Sequence, residues 1–211
     1  NSIRQQYPAL QTLASQVATA LQQAESYQEM IKHQWVSQEL RIAGDIQASF
    51  LPAREPVFPG WEIAASLTPA RQTSGDFYDF FQLSDGRLGI IIADVADKGL
   101  GAALYMALGR TLLLTYAHIY PENPAAVFQA TNKRMLSDAR AQMFITAFYG
   151  ILEPELGRLI YCNAGHHPPL LIRNRQDQIV QKLNPNGMAL GIDENAAWVA
   201  VSQKIDVDDP L

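Results

Sequence analysis

Residues 74–99 read SGDFYDFFQLSDGRLGIIIADVADKG, and this stretch decides the fold. Two runs rich in aromatic and β-branched residues, 77–83 and 87–95, flank Ser84-Asp85-Gly86, a hairpin turn signal, so an antiparallel pair is predicted. Leu88 to Ala93 is apolar throughout, which predicts burial on both faces. In that register Asp76, at the start of the first strand, and Asp94, at the end of the second, share the open end of the hairpin. Carboxylates gathered at one strand edge repel, and a divalent cation relieves the repulsion. Oxygen donors without His or Cys favour Mg²⁺ or Mn²⁺. The competing reading makes Asp76 and Asp94 turn or cap residues, with Asp94 opening the loop to the next helix. Asp79 is three residues from Asp76, so strand alternation turns it to the opposite face.

Downstream, residues 102–116 read as a buried helix and 123–137 as a second one, with Asn123 as N-cap and Pro124 in the first turn. Residues 144–152 and 158–163 form another predicted hairpin, and 169–173, 179–182 and 198–205 further strands. Residues 61–67 (WEIAASL) alternate and predict a strand as well. Strands, two helices and strands again describe a layered α+β domain of mostly antiparallel sheets.

Upstream the texture differs, and a domain boundary is drawn at 52/53. Leu10, Leu13, Val17, Ala20, Ala24, Tyr27 and Ile31 recur in steps of three and four, a single helical stripe. The stripe steps to Trp35, which reads as packing, and resumes at Ile42, Ile46 and Phe50; the extra residue resembles a coiled-coil stutter. Pro8 is expected to precede the helix and Pro52 to end it. A helix of roughly 42 residues is about 63 Å long. Pairing with a second copy as a coiled coil, giving a homodimer, is the favoured expectation; folding back on the domain is the other. The many Ala, Gln and Ser residues at the seam make such a pairing weak.

With 211 residues, 48% hydrophobic and 18% charged, the composition is that of a globular chain with a real core. A net charge of −5 and the lack of a basic stripe count against a nucleic-acid partner, and with it against a two-metal nuclease. No run approaches ~18 uninterrupted apolar residues, so no membrane span is expected. The single cysteine, Cys162, closes no internal disulfide. The expected location is the cytoplasm.

Five segments in order carry a family resemblance: Ser74-Gly75-Asp76-Phe77-Tyr78-Asp79, the run Asp94-Val95-Ala96-Asp97-Lys98-Gly99-Leu100-Gly101-Ala102-Ala103, residues 143–150 (MFITAFYG), Asn163-Ala164-Gly165-His166-His167-Pro168-Pro169, and residues 187–191 (GMALG). Together they resemble the SpoIIE-type branch of the metal-dependent PPM protein phosphatases, over about residues 39–211. The resemblance implies a PPM-type α-β-β-α sandwich and hydrolysis of phosphoserine or phosphothreonine with two Mn²⁺ or Mg²⁺ ions. It implies that Asp94 bridges the metals, that the Val95 carbonyl binds one, that Asp76 joins the metal and water shell, and that Arg71 binds the phosphate. Arg71 as an ordinary surface residue is the alternative. It further implies a small regulatory phosphoprotein as substrate, an anti-sigma-factor antagonist, and a sensor module whose closing helix residues before ~30 resemble. Gly99 and Gly101 are expected to shape the loop before the helix, Lys98 reads as solvated, and His166 and His167 read first as turn residues.

In relatives a strand with a Thr-Asp-Gly motif and a later Asp follows the point where this sequence stops. Asp206, Asp208 and Asp209 do not match that motif and read as the turn before the strand. The domain is therefore expected to be incomplete at its C-terminus, whether as a truncated piece or a natural short form, with weak metal affinity. The alternative function is a non-catalytic, phosphatase-like interaction module that relays a sensor signal.

Overall fold

The computed structural model describes residues 2–84, 86–138, 143–173 and 178–205. Asp206, Asp208 and Asp209 lie outside the described residues, as does Asp85 of the hairpin turn. Two compact units divide the chain, Asn1–Ile42 and Ala43–Leu211, so the last turns of the N-terminal helix fall in the second unit.

Helix α1 runs Ser2–Ala48. It passes through Pro8 instead of starting after it, at the expense of one backbone hydrogen bond near the helix start. On its apolar stripe Leu13 is 62% exposed and Trp35 66%.

Among its described residues the second unit holds, after the end of α1, seven strands and two helices. Strand β1 (Phe77–Gln82) pairs antiparallel with β2 (Leu88–Val95), helices α2 (Leu100–Ile119) and α3 (Pro124–Asp138) follow, and β3 (Ile145–Glu153) and β4 (Arg158–Ala164) form the second hairpin. The small hairpin β5 (Leu170–Arg173) and β6 (Gln178–Lys182) comes next, and β7 (Val201–Lys204) closes the main sheet in the order β1-β2-β3-β4-β7. Asn123 caps α3 as expected, its Oδ1 accepting from the Ala126 N–H at 3.1 Å.

Alternation along the strands sorts side chains into two layers. Phe77, Ile91, Ala93, Val95, Ile145, Ala147, Tyr149 and Cys162 meet Met106, Leu113, Phe128 and Met135 of α2 and α3. On the opposite face Leu88, Phe148, Leu159 and Tyr161 meet Leu171 and Leu183 and the partly buried Phe58, Trp61 and Ile63. The layers are thus helices, a five-stranded sheet, and a thinner cover containing a two-stranded sheet.

Three expectations need correction. Residues 61–67 keep their alternation of half-buried and exposed side chains but form no strand beyond the single Phe58–Trp61 bridge. The segment lies against the core by one face without joining a ladder. Burial of β2 on both faces fails at Ile92, which is 42% exposed, because the thinner cover ends before it. The last strand starts at Val201, and Trp198 instead enters the core, where its Nε1 donates to the Met188 carbonyl at 2.9 Å.

Helix α2 is long and apolar enough to cross a bilayer by length and composition alone, yet it packs on the sheet with Arg110 among its residues. The Arg110 guanidinium lies 2.6 Å from Oδ2 of the buried Asp79, tying α2 to β1. Asp79 therefore faces the helices, as strand alternation requires. Burial raises its carboxyl above the usual range, against the pull of Arg110. Removing one partner of a buried pair strands the other charge. Arg110→Ala should cost about 3 kcal/mol of stability in urea unfolding, whereas a double Asp79→Leu, Arg110→Met change should cost clearly less. Equal losses in the two would refute a buried, charge-driven tie.

Candidate active site

The register of β1 and β2 places Phe77 opposite Ala93, so Asp76 and Asp94 come next to each other just outside that pair. Alternation puts both on the face away from α2 and α3, since Phe77, Ala93 and Val95 point into the helix-side core. The two carboxyl groups are close enough for Asp76 to act on the protonation of Asp94. Burial and then the Asp76 carboxyl push Asp94 up to about 6, against the pull of His167 and Lys98. Because Asp94 keeps exposed surface, the neighbouring carboxyl is the cause with chemical weight.

The row of functional groups continues across the sheet. Thr146 stands opposite Asp94 on β3; its Oγ1 donates to the Asp94 carbonyl at 3.4 Å and contacts His166 Nδ1 at 3.0 Å. His166 is held from below: its N–H donates to Oδ1 of the buried Asn163, whose Nδ2 donates to the Leu183 carbonyl. Burial, then His167, lower the His166 pKa against the opposing influence of Asp76. The His166 and His167 rings meet edge to face at 6.1 Å. The two histidines thus serve as more than a turn; they border the acids.

Val95 brings the backbone into the site. A Cβ on Gly75 would stand 3.0 Å from the Val95 carbonyl oxygen, a tight contact that glycine avoids. After β2 the chain turns sharply, with Asp97 at φ 86° and Gly99 at φ 87°, where α2 begins. A non-glycine residue in that region is strained, and such strain concentrates where a site is shaped. Asp97 Oδ1 accepts from the Lys98 N–H at 2.7 Å, which secures the turn. Gly101 has ordinary backbone and open space around it, so the loop needs only Gly99.

Arg71 is exposed in the loop leading to Asp76 and makes no ion pair with either acid among the described residues. The structure therefore brings together Asp76, Asp94 and the Val95 carbonyl, and shows no contact of Arg71 with them among the described residues. Their donors are all oxygen, which suits a hard divalent cation. Among the described residues no group of three or more His, Cys, Asp or Glu side chains converges, so the donor set is partial. Thr146 and His166 could not be placed here from sequence, because their position depends on the pairing of β2 with β3, 52 residues apart at Asp94 and Thr146.

Comparison with known proteins gives consistent matches. A family model described as Stage II sporulation protein E (SpoIIE) matches residues 84–211. Protein IcfG of Synechocystis sp. is 33% identical over 199 residues, covering 82% of this chain and 31% of that protein. Phosphoserine phosphatase RsbU of Bacillus subtilis is 30% identical over 182 residues, covering 84% of this chain and 52% of that protein. The chain thus spans about half the length of these relatives or less. Among solved structures, the SiaA-PP2C domain of Pseudomonas aeruginosa superposes with a TM-score of 0.68 at 20% identity, over 82% of this chain and 69% of that one, which establishes the shared fold.

The raised Asp94 pKa has a consequence for stability. The folded state holds a proton more tightly than the unfolded chain, so this group favours folding below about pH 4 and that contribution is lost as pH rises through about 6. Asp94→Asn should melt a few degrees above the parent at pH 7 without added metal, with the gap closing as pH falls toward 4. A variant that melts lower at pH 7 would show the acids are not in repulsive contact.

Proposed function

Since this chain belongs to the stage II sporulation protein E (SpoIIE) family, we propose that it is the body of a Mn²⁺- or Mg²⁺-dependent phosphatase acting on phosphoserine or phosphothreonine of a regulatory protein. The substrate proposed from the family resemblance is an anti-sigma-factor antagonist, and the proposed location is the cytoplasm. The observation that carries the reading is the register that sets Asp76 next to Asp94 at one strand edge, with Gly75 lying against the Val95 carbonyl.

Two acids held together at the cost of mutual repulsion fit a cation site, and Asp76, Asp94 and the Val95 carbonyl are the groups that would hold the ions. Bound divalent ions supply a water acidified toward hydroxide and a shield for the phosphate oxygens. Asp94 accepts the role by losing the proton it keeps up to about pH 6, so ion binding should strengthen as pH rises through that value. Thr146 holds the Asp94 backbone in place from the neighbouring strand. Arg71, exposed in the loop leading to Asp76, is suited to grip a phosphate with two parallel N–H donors, which lysine lacks. Water attacks phosphorus, the ester oxygen leaves on serine or threonine, and inorganic phosphate is released.

The partial donor set favours a second reading, a phosphatase-like module that docks a partner without catalysis. Phosphate release from a phosphoserine protein with added Mn²⁺ separates them, measured on a protein that carries this chain together with the segment the resemblance places after it. The first reading expects activity that Asp94→Asn lowers at least 100-fold, and a 10- to 100-fold loss of kcat/KM in Arg71→Ala, equivalent to about 1.4–2.8 kcal/mol. Absence of activity in parent and variants alike would support the docking module.

We also place a homodimer contact on the apolar stripe of α1, supported by its exposed Leu13, Val17, Leu21 and Trp35. Sedimentation should show a weak dimer that Val17→Glu with Leu21→Glu converts to monomer; a dimer unchanged by that pair would move the contact elsewhere.

A further inference from the structure

The end of α1 meets the domain through a face that its apolar pattern does not mark. Ile42 and Ile46, on the stripe, are 50% and 56% exposed, while Gln47 is only 8% exposed. A Cβ at Gly44 would collide with the Gln72 carbonyl oxygen, so helix and loop touch backbone to backbone there. Three residues on, the Gln47 amide pairs with both backbone groups of Ser74: Nε2 donates to the Ser74 carbonyl at 2.6 Å, and Oε1 accepts from the Ser74 N–H at 2.8 Å. The side chain thus takes the place of a neighbouring strand. Ser74 Oγ in turn accepts from the Asp76 N–H at 3.0 Å, and Gly75, between them, lies against the Val95 carbonyl.

These contacts make an unbroken path from the last turn of a 47-residue helix to two of the groups assigned above to the metal site. An apolar side chain at position 47 would pack, but it would leave the Ser74 N–H and C=O without their partner. The pairing is also all or none. Rotating the helix end by one residue, about 100°, presents Ile46 or Ala48, and neither can make either bond. A discrete contact of that kind can hold two states, which a gradual apolar surface does not.

We propose that Gln47 is a positioning residue that latches the Asp76 loop to the last turn of α1, and that this latch sets how well Asp76 and the Val95 carbonyl hold a divalent cation. The latch rests on the metal reading of the preceding section, and it adds to that reading a route for control. It acts through Ser74 and touches neither substrate nor ion.

The test uses the chain as it stands, with Mn²⁺ alone as the probe. Gln47→Leu, one atom shorter, keeps an apolar stem and removes both hydrogen bonds; Gln47→Glu keeps the acceptor for the Ser74 N–H and loses the donor. Calorimetric titration of Mn²⁺ and amide hydrogen exchange without metal are the two readouts, with far-UV circular dichroism as the check on folding. The latch predicts that Gln47→Leu weakens Mn²⁺ affinity about 10-fold and speeds exchange of the Asp76 amide at least 10-fold, while the Phe148 amide in the sheet is unaffected. Gln47→Glu should fall between, and it decides the matter should the leucine variant not fold. Mn²⁺ affinity and Asp76 exchange equal to the parent in both variants would overturn the latch. Asp94→Asn in parallel keeps the two ideas apart: if it leaves Mn²⁺ affinity unchanged, the metal reading fails, and the Asp76 exchange alone then decides whether Gln47 holds the loop.

Discussion

Two carboxyl groups are held side by side at the open end of a hairpin, and the local structure around them can be understood as the apparatus that keeps them there. The β1–β2 register sets Asp76 beside Asp94, and burial with the neighbouring acid pushes Asp94 up to about 6. Nothing in the folding of the sheet requires that arrangement. A fold selected for stability alone would separate the acids or replace one, because their repulsion weakens the native state near neutral pH. The stability lost at this point is the physical signature of a site awaiting positive charge.

Holding the acids in place demands a rigid surround. On the helix side, Asp79 and Arg110 tie β1 to α2, three residues from Asp76. Across the sheet, Thr146 fixes the Asp94 backbone and contacts His166, which the buried Asn163 anchors in turn. From the helix end, Gln47 grips Ser74. These supports come from four separate stretches of sequence, so the site is a product of the tertiary fold rather than of any one motif. The family assignment and the shared fold with the SiaA-PP2C domain agree with that arrangement.

The central hairpin and the capped helix α3 were legible in the sequence because turn chemistry and capping act over a few residues. The face of Asp79 was legible for the same reason, strand alternation having period two. Local pattern misled where partners decide the outcome. Residues 61–67 alternate like a strand, but alternation reports only one covered face and says nothing about whether a ladder forms. Ile92 sits in an apolar run and is exposed because the second layer is narrow. Gln47 carries no local signal in the sequence, and only the approach of Ser74, 27 residues away, gives it a role. His166 and His167 are set by a turn, as their glycine and proline neighbours imply, yet long-range pairing brings that turn to the acids.

Everything functional in this account depends on Asp76 and Asp94 jointly gripping a divalent ion. Paramagnetic broadening of amide resonances on stepwise addition of Mn²⁺ tests that most directly, since broadening falls steeply with distance from the ion. The account predicts that the amides of Asp76, Asp94 and Val95 disappear first and together, and that Mg²⁺ in excess restores them. Broadening that begins at other acids, or spreads evenly over the surface while these three persist, would contradict it.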